Sequence, residues 1–453
     1  MAEIKPEKQR LLGKLALLCG CLAMLIHCTA IAAGDASLTW FRQWADPCLT
    51  VLSVAFAACA LLLPKTKAAG WHLALAIAMA AWIEFIRYAH VFLFGYQVQG
   101  PGLMLSRYLL LFPLAACCRD EEKQTALKVG AGLTLAAVVW LDALTVLRIL
   151  DRVPRALEAV ASWSGSRLSI LWHPNITATM YFMALAICVG FCFLTQKKWL
   201  RALLLALAAM QAVFIVLTHG RMVMLVTAGY GGGVLLLAVL KQRGGKFWKQ
   251  LLIVLALAAV ILAGMEGLFK WNNSRMNQEY LSGEREMSNG MYVDDNGTVQ
   301  GAGSGQGDLL QDLKTMNSRS TIWGNALQAM KSDWKLLLFG TEDVSAVLKI
   351  VPHAHNSYLE IGLRWGLPAM LAAIAIALEV LICGLYVAFR SADGWKICVS
   401  LMTLCWLPIS LVEKYPFCDT TLGGLFLLSA GYLLGWALEE RNLLLRPSRH
   451  RAD

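Results

Sequence analysis

The stretch GLPAMLAAIAIALEVLICGLYVAF, residues 366–389, is apolar except for one charged side chain, Glu379. A run of this length matches a helix that crosses the roughly 30 Å hydrocarbon core of a bilayer. Similar runs recur along the chain, which is 58% hydrophobic and 15% charged, whereas soluble domains carry about 25% charged residues. The runs are nearly continuous rather than alternating, which favours helices. The sequence therefore predicts an all-α polytopic membrane protein.

The apolar runs predict about twelve spans and one long connection between the ninth and tenth. The spans lie near 12–33, 46–63, 69–94, 103–118, 127–150, 174–194, 199–218, 221–240, 250–270, 366–389, 394–413 and 420–439. The chain accordingly divides into nine spans in 1–270, a loop in 271–354, and three spans with a basic tail in 355–453. A loop this long is usually functional.

Basic residues alternate between connections, and the positive-inside rule converts that alternation into an orientation. Lysines and arginines concentrate around 5–14, 65–67, 119–128, 197–201, 241–249, 390–396 and 441–451. Both termini are then cytoplasmic, and the long loop faces outward. The net charge of +10 is largely this topological signal, so it does not indicate a nucleic-acid partner.

The 13 cysteines lie nearly all in or beside the predicted spans, where a single cysteine behaves as a small apolar residue. No pair has metal-ligand spacing on a polar loop, so we predict neither a zinc site nor a disulfide framework. We expect no metal and no cofactor.

The second half of the long loop, NSRSTIWGNALQAMKSDWKLLLFG (317–340), changes from polar to amphipathic. Apolar residues with helical spacing predict a helix that lies on the outer membrane surface and packs on the bundle. They are Ile322, Ala326, Leu327 and Met330. Arg319 would fall in the first turn, where a lone cation is disfavoured unless an anion is nearby.

Three segments bring candidate side chains to the outer end of the bundle. Arg221 opens a span in LTHGRMVML (217–225), Arg319 begins the amphipathic helix, and His353, His355 and Asn356 precede the tenth span. Taken singly, the arginines could simply meet lipid phosphates and the histidines could simply be wetted. Together, two guanidiniums suit bidentate recognition of phosphate, and a neutral imidazole suits proton abstraction from a hydroxyl.

A fourth segment, LWHPNITATMYF (171–182), opens the sixth span and adds His173 and Asn175 as second-tier candidates. Arg152, Arg155 and Arg167 precede it, and both acidic-ligand binding and plain solvation remain open for them. Outside the cytoplasm no nucleotide sugars are available, so group transfer there needs a pre-activated donor. A lipid diphosphate fits, because arginines would stabilise its departing charge.

These segments resemble the bacterial O-antigen ligase and polymerase superfamily of integral-membrane glycosyltransferases. LTHGRMVML is similar to the family's Thr-x-Ser-Arg element, with His219-Gly220 replacing the usual small residues. SRSTIWGNALQAM followed by LLLFG resembles its Arg-x-x-x-Trp helix and glycine, here Arg319, Trp323 and Gly340. AHNSYLEIGLRWG resembles its His-Asn-x-x-Leu-x(6)-Gly element, and HPNITA its His/Asn-Pro-Asn element.

The resemblance implies a metal-independent, inverting transfer of a glycan from undecaprenyl diphosphate to a sugar hydroxyl of lipid A–core, in lipopolysaccharide biosynthesis. It implies that Arg221 and Arg319 hold the diphosphate and that His355 activates the acceptor. Asn356, His353, His173 and Asn175 are then candidates for substrate binding, and His355 is favoured over His353 by the Asn-x-x-Leu that follows it.

Three other functions remain open. A repeat-unit polymerase and a protein O-oligosaccharyltransferase share the donor and differ in the acceptor. A lipid-linked saccharide transporter, from a different class, would use charged residues within the spans, here Glu84, Arg87 and Asp142.

Overall fold

The computed structural model of the protein describes most of the helical bundle. Its described residues are 67–94, 120–150, 152–153, 161–164, 167–170, 174–241, 291–293, 299–301, 319–349, 353–413 and 421–445, with single positions within 7–58 and 252–282. In chain order the helices are α1 (Lys67–Phe94), α2 (Asp120–Ile149), α3 (Pro174–Leu194), α4 (Lys198–Leu217), α5 (Arg221–Lys241), α6 (Arg319–Ser332), α7 (Trp334–Phe339), α8 (Val344–Leu348), α9 (Ser357–Arg390), α10 (Gly394–Val412) and α11 (Thr421–Leu445).

Eight predicted spans correspond to helices α1 to α5 and α9 to α11. Six of these, α1 to α4 with α9 and α10, contain segments long and apolar enough to cross a membrane, and α5 and α11 contain shorter apolar segments. The other predicted spans, 12–33, 46–63, 103–118 and 250–270, lie outside the described residues except at single positions. The described part of the chain thus confirms a multi-pass helical membrane protein.

Two short hairpins depart from the all-α prediction. Strand β1 (Ala161–Ser164) pairs with β2 (Arg167–Ile170) between α2 and α3, and β3 (Met291–Val293) pairs with β4 (Val299–Gly301) in the long loop. Both are antiparallel and lie in connections, so they leave the helical bundle intact. The β1–β2 hairpin contacts α2, α3 and α4.

Helix α3 lies at the centre of the bundle and packs against α2, α4, α5 and α10. Its buried residues run along almost its whole length, and the Tyr181 hydroxyl is hydrogen-bonded to Thr145 of α2. Among the described residues, the largest fully buried side chains include Trp406 of α10 and Trp436 of α11. This packing holds the beginning of α3 in a fixed position relative to its neighbours.

Helix α6 is the predicted amphipathic helix, and it packs through Ile322, Ala326 and Met330 against α8 and the beginning of α9. Leu327 was predicted on this apolar face, but it is 53% exposed. The face is therefore narrower than predicted, with a spacing of four residues between its buried positions. Helices α7 and α8 follow directly, capped by the side chains of Asp333 and Asp343.

Several helices meet at one end of the bundle, which we call the site end. Helices α4 and α10 end there, and α3, α5 and α9 begin there. Hydrogen bonds between residues at or next to these helix ends show that the ends lie together. The basic connections between α3 and α4 and between α9 and α10 lie at the opposite end. The basic residues in or next to these connections include Lys197, Lys198, Arg390 and Lys396.

Helix α9 begins at Ser357, nine residues before the predicted span, and it is kinked at Gly366 rather than starting there. Gly366 has φ +80° and ψ 173°, a conformation essentially restricted to glycine. A Cβ at this position would lie 1.9 Å from the Leu338 carbonyl oxygen, so α7 rests directly on the α9 backbone. Gly340, just after α7, makes the same kind of close approach from the other side. A Cβ there would lie 2.4 Å from the Arg364 carbonyl of α9.

We expect Gly366→Ala to destabilise the folded protein by at least about 3 kcal/mol, because it combines backbone strain with a clash against main chain. The matched control is Gly229→Ala on α5, where nothing lies within 4 Å of the added methyl group. The midpoint of thermal unfolding in detergent should fall strongly for Gly366→Ala and hold for Gly229→Ala. Equal midpoints for the two variants would show that the close approach at the kink is not needed.

Candidate active site

A buried carboxylate organises the site end of the bundle. Glu413 follows the last turn of α10, and its side chain is 5% exposed. Its Oε1 accepts hydrogen bonds from Arg319 Nη2 of α6 at 2.9 Å and from Asn175 Nδ2 of α3 at 2.6 Å. Its Oε2 lies 3.7 Å from His355 Nδ1. Glu413, Arg319, Asn175 and His355 together form what we call the Glu413 cluster.

The imidazole of His355 reaches this cluster from a strained loop. His355 has φ +48°, a left-handed conformation that is uncommon for a residue with a side chain. At 3.7 Å its Nδ1 is within ion-pair distance of Glu413 but beyond hydrogen-bond distance. Strained conformations persist where the surrounding structure over-determines them, and they concentrate at functional sites.

Three contacts fix the loop that carries His355. The backbone N–H of Ala354 donates to Glu360 Oε2 at 2.8 Å, and Trp323 Nε1 of α6 donates to the Ala354 carbonyl at 3.0 Å. Asn356 caps α9, since its Oδ1 accepts from the N–H groups of Tyr358 and Leu359. Trp323 lies one turn after Arg319, so a single helix positions both the arginine and the histidine loop.

The two histidines face different carboxylates. His353 Nδ1 lies 3.8 Å from Glu360 Oε1, which also accepts from Arg364 Nε at 2.7 Å. Glu360 is fully buried and accepts a hydrogen bond from the loop that carries His355, through the Ala354 N–H. His355 itself faces Glu413. The two imidazoles thus lie beside different buried carboxylates.

Arg167 joins the Glu413 cluster to the connection that precedes Arg221. Its Nη2 donates to Asn175 Oδ1 at 2.5 Å, and its Nε donates to the Thr218 carbonyl at 3.1 Å. Thr218 is the C-cap residue of α4 and lies three residues before Arg221. A continuous chain of hydrogen bonds therefore runs from Arg319 through Glu413, Asn175 and Arg167 to this turn.

His219 and Gly220 stand where the motif that this segment resembles has small residues. The structure shows how the turn accommodates the larger histidine. His219 is buried with φ +53°, and Asn272 Nδ2 lies 2.9 Å from its Nε2. Gly220 packs so closely on α3 that a Cβ would lie 2.6 Å from the Cβ of Ala178. Burial, reinforced by the positive charges of Arg167 and Arg221, lowers the pKa of His219 to about 3. His219 is therefore neutral at pH 7, and the positive charge here belongs to the arginines.

The structure brings together some of the predicted site residues directly and others through intermediates. Arg319, His355 and Asn175 meet at Glu413, Asn356 caps the adjoining helix, and Arg221 follows the turn held by Arg167. His173 lies outside the described residues. No group of three or more His, Cys, Asp or Glu side chains suited to a metal occurs within the described ranges.

Sequence reasoning missed Glu413 and left the role of Arg167 open. One signal did point to Glu413: Arg319 at a helix N-terminus called for a nearby anion. Glu413 is 94 residues further along the chain, and in the sequence it is only an acid at the end of a span. No local pattern joins it to Arg319.

Comparison with known proteins gives one family match. Residues 206–374 match the family model described as O-antigen ligase. The matched segment runs from within α4 to within α9 and contains Arg221, Arg319 and His355. No curated protein shows significant sequence similarity to the chain. This match supports membership of the chain in the O-antigen ligase superfamily, which consists of enzymes of the glycosyltransferase type.

Proposed function

We propose that the protein is an O-antigen ligase, which transfers a glycan from undecaprenyl diphosphate to a sugar hydroxyl of lipid A–core. The reaction takes place at the periplasmic face of the inner membrane, where both lipid-anchored substrates can meet. One observation carries the proposal: Arg319 and His355 converge on the same buried carboxylate, which is tied through Asn175 and Arg167 to the turn before Arg221.

Arg221 and Arg319 bind the donor through its diphosphate. A guanidinium presents a planar fork of N–H groups that matches phosphate oxygens, and it stays charged at any physiological pH. Arg319 is 22% exposed, so it can reach a ligand at the surface of the bundle while its other side contacts Glu413. The two arginines stabilise the negative charge that grows on the diphosphate as it leaves. With this charge stabilisation from the protein, the proposed reaction is metal-independent.

His355 acts on the acceptor. Its Nε2 takes the proton of the sugar hydroxyl while the hydroxyl oxygen attacks the anomeric carbon of the donor glycan. The bond from that carbon to the diphosphate oxygen breaks, and the electron pair leaves with the diphosphate. Attack from the face opposite the leaving group inverts the anomeric configuration. In this step His355 gains one proton, one glycosidic bond forms, and the bond from the anomeric carbon to the diphosphate oxygen breaks.

The remaining candidates support this chemistry by positioning. The Asn175 amide bonds to Arg167 and Glu413, and the Asn356 amide bonds to the α9 backbone and to the Leu411 carbonyl. We therefore propose that Asn175 orients Arg167 and Glu413 and that Asn356 fixes the start of α9, in place of the substrate contacts that the sequence suggested. His353 supports the loop from the Glu360 side.

The residues that a transporter would use have structural partners within the bundle. Glu84 and Arg87 form an ion pair one turn apart on α1, at 3.3 Å. Gln211 Nε2 donates to Asp142 Oδ2 at 2.6 Å and thereby joins α4 to α2. These contacts favour a transferase over a transporter, because they provide a structural reason for charges within the spans.

The experiment that tests the function offers purified protein a lipid-linked glycan together with one of three acceptors. These are lipid A–core, a second lipid-linked saccharide, and a peptide rich in serine and threonine. We expect conjugation of lipid A–core and release of undecaprenyl diphosphate. Elongation of the lipid-linked saccharide would instead make the protein a polymerase, and conjugation of the peptide would make it a protein O-oligosaccharyltransferase.

A further inference from the structure

The Glu413 carboxylate lies between a cation and an imidazole and is bonded to only one of them. Its Oε1 bonds to Arg319 Nη2 at 2.9 Å, while its Oε2 stops 3.7 Å from His355 Nδ1. Oε2 is buried and accepts no hydrogen bond from the described residues. A buried carboxylate oxygen without a donor is unfavourable, so this arrangement favours a state in which a donor reaches it.

We propose that Glu413 is a positioning residue that exchanges partners when the donor binds. Before binding it holds Arg319; once the diphosphate has engaged Arg319, Glu413 accepts a hydrogen bond from His355 Nδ1–H. The proposal deepens the proposed function and rests on it, because it requires a diphosphate at Arg319. Through this exchange, His355 can activate the acceptor only when the donor site is occupied.

The first step of the exchange is a competition between anions for Arg319. A diphosphate carries more negative charge than one carboxylate and presents several oxygens to the guanidinium fork. Arg319 extends from the first turn of α6 and is partly exposed, so it can turn toward a ligand without unfolding its helix. The hydrogen bond of 2.6 Å from Asn175 Nδ2 anchors Glu413 Oε1 during this change, so that the carboxylate can turn about that oxygen.

The second step requires a small movement. Closing the gap from 3.7 Å to a hydrogen bond of about 2.9 Å needs a shift of roughly 0.8 Å between Glu413 and His355. Other bonds keep the two elements in register, since Ser357 Oγ donates to the Glu413 carbonyl at 2.7 Å and Asn356 Nδ2 donates to the Leu411 carbonyl at 3.0 Å. A rotation of the carboxylate is therefore sufficient, with no rearrangement of α9 or α10.

The new bond determines which imidazole nitrogen does the chemistry. When Nδ1–H donates to Glu413, the lone pair resides on Nε2, which is the nitrogen that takes the hydroxyl proton. The carboxylate also stabilises the imidazolium formed in that step. The acceptor is then activated only while a donor is present to react with it.

Kinetics of Glu413→Gln test the exchange, since glutamine keeps the size and the hydrogen bond from Arg319 but loses the charge. We expect kcat to fall roughly 100-fold, while KM for the lipid-linked glycan stays within about threefold of the wild-type value. Glu413→Asp, which keeps the charge, should recover a substantial part of kcat. The matched control is Glu379→Gln, a carboxylate of α9 paired with His72, which should leave kcat unchanged.

A spectroscopic measurement tests the exchange in the wild-type protein, without relying on a variant that folds poorly. The histidine side-chain ¹⁵N spectrum is recorded before and after addition of undecaprenyl diphosphate, and His355 is assigned by comparison with His355→Ala. The His355 Nδ1 signal should shift on addition in the wild type and stay in place in Glu413→Gln.

The outcomes separate this inference from the proposed function. If the wild type binds undecaprenyl diphosphate and transfers glycan but its His355 signal does not shift, or if Glu413→Gln keeps wild-type kcat, the exchange is wrong and the transferase assignment stands. If the wild type does not bind undecaprenyl diphosphate, or if His355→Ala transfers glycan normally, the proposed function itself is wrong.

Discussion

Replacing His355 by alanine should lower kcat for glycan transfer by roughly 10²- to 10⁴-fold, the usual contribution of a positioned general base. The affinity for undecaprenyl diphosphate should change little, because donor binding is assigned to Arg221 and Arg319. The His355 side chain is 27% exposed, and Glu413, at 3.7 Å, is its charged neighbour among the described residues. Its removal should therefore leave the bundle intact. The measurement is single-turnover transfer by purified variants that elute as folded protein.

His353→Ala is the comparison that makes this prediction specific. His353 is two residues away and faces Glu360, so its removal should cost far less activity than the removal of His355. A loss equal to that of His355→Ala would mean that both imidazoles act or that the loop has collapsed. Wild-type transfer by His355→Ala would remove His355 from the reaction.

Replacing Arg319 by alanine should raise KM for the lipid-linked donor by roughly 10- to 100-fold, corresponding to the 1.5–3 kcal/mol of a hydrogen bond to a charged group. Arg319→Lys should lie between alanine and the wild type, because lysine keeps the charge and loses the planar fork. The same order is expected at Arg221. Arg201→Ala, at the opposite end of the bundle, is the control and should leave KM for the donor unchanged.

Arg319→Ala also removes the cation that compensates the buried Glu413, so a loss of stability could be mistaken for a loss of binding. The double variant Arg319→Ala/Glu413→Gln separates the two effects. It should recover thermal stability relative to Arg319→Ala, because no unpaired carboxylate remains, and it should still bind the donor weakly. Recovery of donor binding along with stability would contradict a direct contact between Arg319 and the diphosphate.

Local patterns were sufficient for the parts of the fold that hydrophobicity determines. The first residues of α3 and α5, Pro174 and Arg221, coincide with the predicted starts of spans, because apolar sequence begins there directly. The predicted start of α9 was nine residues too late. The first turns of this helix are buried among protein side chains and contain polar residues such as Glu360. A prediction based on runs of apolar residues cannot detect the start of a helix whose first turns are polar and buried within the protein.

The sequence singled out candidate site residues one by one, but it did not indicate how they are arranged. Arg319 and His355 stood out through residue type and position, and a helix N-terminus called for an anion near Arg319. The partner that supplies it, Glu413, is distant in sequence and is brought there by the packing of α10 against α9. Asn175 was a candidate for substrate binding, but both of its amide atoms bond to charged side chains. Such pairings arise from tertiary structure and leave no periodic signal in the chain.

A map of the purified protein in lipid nanodiscs with undecaprenyl diphosphate bound would show where the donor binds. We expect diphosphate density between the guanidiniums of Arg221 and Arg319 at the site end of the bundle, with His355 facing the same cavity. Diphosphate density at the end that contains Lys197 and Arg390, or in a cavity without Arg319 and His355, would contradict this expectation.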